Sequence, residues 1–458
     1  MFRTTCKAAL LLATTSCLTL GYDAHAQQSE NTNEAAGDES LVADTVIVTG
    51  TRQAQRTVFS SLAPIDVVSG EAIESTSSED LLDTVAQLVP SFKVQRLPMA
   101  DGNIFVRPAT LRGLGRNHTL VLVNGKRRHR SALLGAGTDL ASIPSFAIKR
   151  IEVLRDGASA QYGSDAIAGV INIILDDEPG YAAYGQFSQY YEGDGTNYQA
   201  GAQAGWELGL GGHLVTTLEY YDAERTSRSR QRPDAIELQA NNPDLDVPNP
   251  VQHWGQPDRS ATRFAFDTGY DFNPFVSGYA FGTYNQGQGV SDFNWRNPTS
   301  GVFNTSDVFP DWDLADIYPA GFSPRFGQED EDLALAAGLK GELAEGQFTW
   351  DLSVNHGRNT IEYFMYNSIN ASLGPNSPTS FDIGTLEQRE TNINADFVYL
   401  ADLGLSSPVN VAFGAERREA SDVFVDPLSR SLACPDAAVE QAFDAGLLGF
   451  GDTPGRGN

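Results

Sequence analysis

After Tyr181 the chain alternates apolar and polar side chains with a period of two, over stretches longer than ordinary strands. Phe264, Phe266, Tyr270 and Phe272 are interleaved with Arg263, Ala265, Asp267, Gly269 and Asp271. Phe348, Trp350, Leu352 and Val354 fall between Gln347, Thr349, Asp351, Ser353 and Asn355. Leu333, Leu335, Leu339 and Leu343 sit among Ala336, Gly338, Lys340 and Glu342. Successive side chains on a strand point to opposite faces, so the pattern predicts antiparallel sheet with one apolar and one polar face. A large soluble sheet with one wet face would read the same way. Alternation alone does not separate that from a sheet in lipid.

The connections separate them. Alternation marks about nine strands, at 182–192, 197–208, 213–225, 260–272, 275–286, 332–343, 347–359, 390–403 and 408–424. Links at 209–212, 273–274, 344–346 and 404–407 are short, whereas those at 226–259, 287–331 and 360–389 are long and rich in Pro, Asn, Asp and Gly. Short turns at one end and long loops at the other is how a transmembrane β-barrel is built. A soluble sandwich has no reason to follow that rule, and long structureless loops argue against one. Residues 1–26 carry a basic start (Arg3, Lys7), an apolar stretch from Ala8 to Leu20 and the small-x-small end Ala24-His25-Ala26, the layout of a cleaved secretory leader. Beyond them no run of 18 apolar residues occurs. A spanning helix is thereby excluded, and a closed barrel is the other way to satisfy the backbone in lipid. An odd strand number followed by the polar stretch 451–458 would leave an open edge in the membrane, so the sequence reads as a fragment or truncated product with an incomplete barrel.

Charge and cysteines agree with export. The net charge of −28 makes nucleic acid a poor partner, because phosphate binding needs a basic footprint. Cys6 and Cys17 leave with the leader, and Cys434 is left either free or paired beyond residue 458.

Ahead of the barrel lies a different texture. Residues 27–43 hold four acidic residues and no basic one, which predicts a flexible periplasmic arm. Asp44 to Arg52 is a short β-branched run that suits either a strand added to another protein's sheet or the first strand of the next domain. From about Ala63 to Leu175 the pattern is a compact α+β module. Pro64 to Val68 reads as a strand, and Ser77 to Asp80 starts a helix through Leu81, Leu82, Val85 and Leu88 that stops at Pro90. Thr119 to Val123 is a strand entering the turn Asn124-Gly125, Ile148, Ile151, Val153 and Leu154 form another apolar element, and Val170 to Leu175 is a closing strand.

The stretch from Ile151 to Ile173 (IEVLRDGASAQYGSDAIAGVINI) closely resembles the plug signature of TonB-dependent receptors. Leu111-Arg112-Gly113-Leu114-Gly115 and Leu120-Val121-Leu122-Val123-Asn124-Gly125 are similar to the family's two earlier plug motifs, in the same order. Asp44-Thr45-Val46-Ile47-Val48-Thr49-Gly50-Thr51 resembles the TonB box, which turns that run toward a partner-binding strand. The resemblance implies a leader (1–26), arm (27–43), TonB box (44–52), plug (53–180) and the N-terminal part of a membrane barrel (181–458), in the family a 22-stranded one. It implies import energised from the periplasm: ligand binds outside, the plug shifts, and the TonB protein engages the box. No enzyme activity and no cofactor are implied. Arg112 and Arg155 are expected to hold carboxylates of the barrel wall, with Glu152 pairing one of them. Gly113, Gly115, Gly157, Gly163 and Gly169 are expected at tight turns and close approaches. Arg155-Asp156-Gly157 stands where the family commonly has Arg-Gly-Pro, which suggests a subgroup.

The basic run Lys126-Arg127-Arg128-His129-Arg130 suits either an anionic ligand or acidic groups of barrel and loops, the second being favoured. Asp311, Asp313 and Asp316, and the run Glu329-Asp330-Glu331-Asp332, lack Ca²⁺-loop spacing and read as solvated loop charge. The histidines have no ligand spacing, so no metal site is expected. Trp254, Trp295 and Trp312 in the long loops suit either stacking on a catecholate or sugar, or the membrane interface. The expected partners are therefore TonB, outer-membrane lipid and an extracellular ligand, with a ferric siderophore the first choice. Carbohydrate or cobalamin import, or a truncated outer-membrane protein that transports nothing, are the alternatives.

Overall fold

A computed structural model describes Thr49 and residues 63–76, 81–97, 102–133, 137–209, 211–304, 309–344, 346–405 and 408–425. The leader, the arm, the box apart from Thr49, and Cys434 lie outside the described residues.

The plug is one five-stranded sheet with short helices. Strand β1 (Ile65–Ser69) runs into α1 (Gly70–Glu74), capped by the Ser69 hydroxyl on the Ala72 N–H, and α2 (Leu81–Leu88) follows. The small pair β2 (Phe92–Lys93) and β3 (Thr110–Leu111) precedes the hairpin of β4 (Thr119–Val123) and β5 (Lys126–Arg127). Then come β6 (Ile148–Leu154), α3 (Ser159–Tyr162) and β7 (Gly169–Leu175), giving the order β1-β6-β7-β4-β5. All five residues of β4 are buried, since α2 covers one face of the sheet and Ala158 and Ala166 the other. A strand covered on both faces needs a near-continuous apolar run, and LVLV and VINIIL, interrupted only at Asn172, are such runs. Leu82, Phe92, Leu111, Ile151, Ile171 and Ile173 are fully buried, each such side chain stabilising the fold by about 1.5–3 kcal/mol. Leu88, expected on the apolar face of its helix, is exposed, and Val89 is buried in its place.

The rest of the described chain is a nine-stranded antiparallel meander. Its strands are β8 (Tyr181–Ser188), β9 (Asn197–Leu208), β10 (Gly212–Ala223), β11 (Asp258–Asn273), β12 (Val276–Asp292), β13 (Arg325–Leu343), β14 (Phe348–Tyr366), β15 (Ser380–Ala401) and β16 (Val409–Val425). Each pairs with its sequence neighbours, and β8 and β16 are the edges. The face turned to the plug is polar and buried, with Glu219, Asn285, Gln328, Asp332, Asn359 and Asn392 on it. The opposite face is apolar and exposed: Leu218 is 54% exposed, Val354 46% and Ile393 54%. A soluble sheet would bury those and expose the amides, so this inversion is what lipid outside and a plugged lumen inside require.

All nine expected strands are present, and most are longer than alternation suggested at the long-loop end. Strand β13 begins at Arg325, β15 at Ser380, and β12 runs to Asp292. Those ends mix polar and apolar residues, and Gly287, Gly289, Gly327 and Gly384 interrupt the apolar beat. Glu329 to Asp332 accordingly corrects the loop reading: it lies in β13, with Glu329 and Glu331 exposed and Asp330 and Asp332 buried toward the plug.

Candidate functional site: the plug against the wall

The β4–β5 hairpin anchors the plug. Asn124 and Gly125 both take positive φ (47° and 78°), the two-residue turn whose twist matches paired strands. At its tip the Asn124 amide donates to Asp267 Oδ2 on β11 at 2.6 Å, and its oxygen accepts from Leu175 N at 2.9 Å. The basic run then crosses the wall strand by strand. Lys126 Nζ is 2.9 Å from Asp351 on β14, and the Arg127 carbonyl accepts from Asn355 Nδ2 at 2.9 Å. Arg128 bonds Thr283 Oγ1 on β12 at 2.6 Å and pairs with Asp332 on β13. His129 Nε2 lies 2.9 Å from the other Asp332 oxygen, which also accepts from Asn359 Nδ2 at 3.0 Å. Asn359 in turn accepts from Ala132 N at 2.7 Å. Of the two readings of the basic run, the structure shows the acidic wall.

Two further contacts join the halves. Arg418 on β16 donates to Asp165 at 3.0 Å, and Arg127 holds the same carboxylate at 2.7 Å. Burial acts to raise the Asp165 carboxyl, but Arg418, Arg127 and Arg130 outweigh it and hold the group below the usual carboxylate range. Glu219 on β10 accepts from Ser145 Oγ at 2.9 Å and pairs with Arg263 at 2.7 Å. Asp139 caps the turn at Leu140 by accepting from Ala141 N at 3.0 Å. Burial pushes its carboxyl up to about 6, opposed by Arg259 and assisted by Asp330 and Asp332.

The expected wall contacts are placed elsewhere. Arg112 donates to the carbonyls of Ala168 (3.0 Å) and Ile167 (2.9 Å), Arg155 pairs with Asp66 at 3.0 Å, and Glu152 pairs with Arg150 at 3.0 Å. Among the described residues these partners all belong to the plug. The reason is topological: β6 lies between β1 and β7, so groups on or just after it meet plug strands. Gly113 and Gly163 do take positive φ, and a Cβ on Gly169 would overlap the Leu154 carbonyl and lie 2.9 Å from Leu111 Cδ1. Gly115 has an ordinary φ of −61°, and a Cβ on Gly157 would meet Ile167 O at an ordinary 3.4 Å. Neither of those two positions requires glycine.

Thr49, inside the box-like run, is fully buried on the plug. Its N–H (2.9 Å) and hydroxyl (2.6 Å) both donate to Glu152 Oε2, and the hydroxyl accepts from Asn172 Nδ2 at 3.1 Å. Asn172, Asp165 and Asp332 carry contacts that sequence reasoning did not assign, because each depends on a partner over 25 residues away.

At the long-loop end a cavity of roughly 930 Å³ opens between the plug and β8–β11. Arg96, Arg107, Arg228 and Arg263 line it with Tyr190 and Tyr221. Arg96 and Arg107 share Asp83, Arg228 lies over the Tyr190 ring at 5.4 Å, and Arg263 over Tyr221 at 5.3 Å. Two of the loop tryptophans pack within the loops. Trp295 is buried with Ala235, Val247 and Val251, and Trp312 packs beside Phe303, Leu314 and Phe322.

Residues 57–170 match the family described as TonB-dependent Receptor Plug Domain. The vitamin B12 transporter BtuB of Photobacterium profundum is 35% identical over 198 residues, covering 43% of this chain and 30% of the relative. The iron-regulated outer membrane virulence protein of Vibrio cholerae is 38% identical over 144 residues, covering 30% and 21%. Among solved structures, the siderophore receptor PirA of Acinetobacter baumannii superposes with a TM-score of 0.54 at 17% identity, over 83% of this chain and 51% of that one. A mutant ferric enterobactin receptor (PfeA) of Pseudomonas aeruginosa gives 0.53 at 15%, over 79% and 50%. The chain thus spans about half of those structures and under a third of those two relatives. Residues 57–170 are thus a TonB-dependent receptor plug domain, and the plug seated on the polar face of nine antiparallel strands has the fold of the N-terminal half of the outer-membrane receptors it resembles.

Proposed function

We propose that the protein serves TonB-dependent active import of a scarce ligand across the outer membrane, most simply a ferric siderophore. The observation that carries this is the plug's polar seat. The hairpin and its wall are joined by ion pairs and hydrogen bonds such as Lys126–Asp351 and Arg128–Asp332, which can part and re-form in water, whereas a purely apolar interface would have to expose its surface. A pull on the box by TonB would act on such a seat. Arginines and tyrosines around the cavity suit an anionic, aromatic iron chelate. Nothing in this reading calls for covalent chemistry or a cofactor. The likeness to a vitamin B12 transporter favours cobalamin as the second reading, with carbohydrate behind it.

Growth of a deletion strain on individual iron sources tests the ligand. Loss of growth on one ferric complex supports the siderophore reading, and unchanged uptake of every complex overturns it in favour of cobalamin or carbohydrate. Deleting residues 44–51 is expected to abolish uptake while ligand binding persists. Uptake that survives the deletion refutes TonB coupling.

A further inference from the structure

We propose that Asp292, which is not itself among the residues lining the large cavity, is a positioning residue that sets the cavity's rim before any ligand arrives. This rests on the reading of that cavity as the ligand site. Asp292 ends β12 and is 6% exposed. Its Oδ1 lies 3.3 Å from a guanidinium nitrogen of Arg225 and 3.2 Å from Arg325 Nε. Its Oδ2 accepts from the backbone N–H of His253 at 3.1 Å and lies 3.0 Å from the ring Nδ1 of the same residue. Arg225 and His253 stand on the two legs of the connection between β10 and β11. On the outgoing leg the rim residues Thr226 and Arg228 come just after Arg225, and on the returning leg Gly255, Gln256 and Pro257 come just after His253. One buried carboxylate thus grips both legs immediately before they reach the cavity.

The path from that grip to the rim is short and stiff. Thr226 N donates to the Gln256 carbonyl at 3.1 Å, and Thr226 Oγ1 accepts from Gln256 N at 2.8 Å, so the legs are laced together at the rim. A Cβ on Gly255 would lie 2.2 Å from the Thr226 carbonyl oxygen, an approach that only glycine allows. Asp258, at the start of β11, repeats the clasp by accepting from Arg225 N at 2.8 Å and from Arg325 at 3.0 Å. Farther out, the same connection packs on the next one: Trp295 is buried with Ala235, Val247 and Val251, and its backbone N–H donates to Gln252 at 2.8 Å. Without the Asp292 carboxylate, Arg225 and Arg325 would share Asp258, and His253 would lose both of its bonds to β12. Arg228 and Gln256, held in place beforehand, do not have to be ordered when a ligand binds, so this side of the rim binds without closing.

The test uses the whole chain in detergent, with an iron(III) tris-catecholate complex as the probe. In Asp292→Ala the affinity for that complex is expected to fall about tenfold with the number of sites unchanged, and Asp292→Glu is expected to recover most of the loss. A role in folding alone would lower the number of sites and leave the affinity as it was. Hydrogen exchange without the probe should quicken about tenfold in Asp292→Ala, in peptides covering 225–229 and 253–258. His253→Ala leaves Asp292 its two arginines and should quicken the second peptide only. Unchanged exchange in Asp292→Ala overturns the proposal. So does faster exchange with unchanged affinity, or a loss of sites at unchanged affinity. No binding by the parent, together with faster exchange in Asp292→Ala, upholds the setting of the rim by Asp292 and refutes the siderophore reading, so the two failures are distinguishable.

Discussion

Asp332→Asn probes the seat of the plug most directly. The Asp332 carboxylate gathers Arg128, His129 and Asn359, and the side chains of Arg128 and Asp332 are only 3% and 5% exposed. Solvent screening is therefore slight, and taking one partner from a buried ion pair costs about 3–5 kcal/mol because the other charge is stranded. Arg128 keeps Thr283 and Ser142, and an asparagine can still accept one hydrogen bond, so the lower end applies, about 3 kcal/mol. At about 1.4 kcal/mol per factor of ten, the hairpin should open roughly a hundredfold more often. Hydrogen exchange of peptides spanning residues 119–133, followed by mass spectrometry, reads that opening. Protection within threefold of the parent would refute the claim that this carboxylate seats the plug. Adding Arg128→Met should recover much of the loss, since the stranded charge is then gone.

Asp139→Asn should change the pH profile of plug stability. The folded carboxyl holds its proton up to about 6, whereas the unfolded one releases it near 3.9, so this group's contribution is fullest below pH 4 and is lost as pH rises to 6. Asparagine keeps the capping oxygen and escapes that loss, so the variant should match the parent at pH 4 and exceed it by roughly 3 kcal/mol at pH 8 in urea-induced plug release. Equal stabilities at both pH values would contradict the burial argument. Gly357→Ala puts a methyl group into the His129 ring, which packs directly on that glycine. Displacing the ring from Asp332 is expected to cost about 1–3 kcal/mol, read as faster exchange over 128–133, and unchanged exchange would mean the ring does not sit there.

The strands and the plug core were legible because their signals are local. A two-residue beat is imposed by lipid on every spanning segment, and the buried runs TLVLV and VINIIL announce themselves within a few residues. The beat fades at the long-loop ends of the strands, so Arg325 to Glu331 reads as loop although it is paired to β12 and β14. Composition also favoured acidic partners for Lys126 to Arg130, since acids outnumber bases in the chain.

What composition could not choose was which acids. Asp351, Asp332 and Asp165 are 225, 204 and 38 positions from their partners, and only the seating of the hairpin against a particular wall register brings them within reach. The same limit holds for Arg112 and Arg155, whose charge suits a wall contact and whose partners among the described residues lie in the plug. It also hid Thr49, which the sequence offers as one more residue of a β-branched run and the tertiary structure sets on Glu152 and Asn172. Sequence alone determined the elements and which face of each is apolar, because those follow from neighbours along the chain. Tertiary structure decided the pairings of charge, because a carboxylate buried at an interface belongs to whichever donors the fold delivers to it.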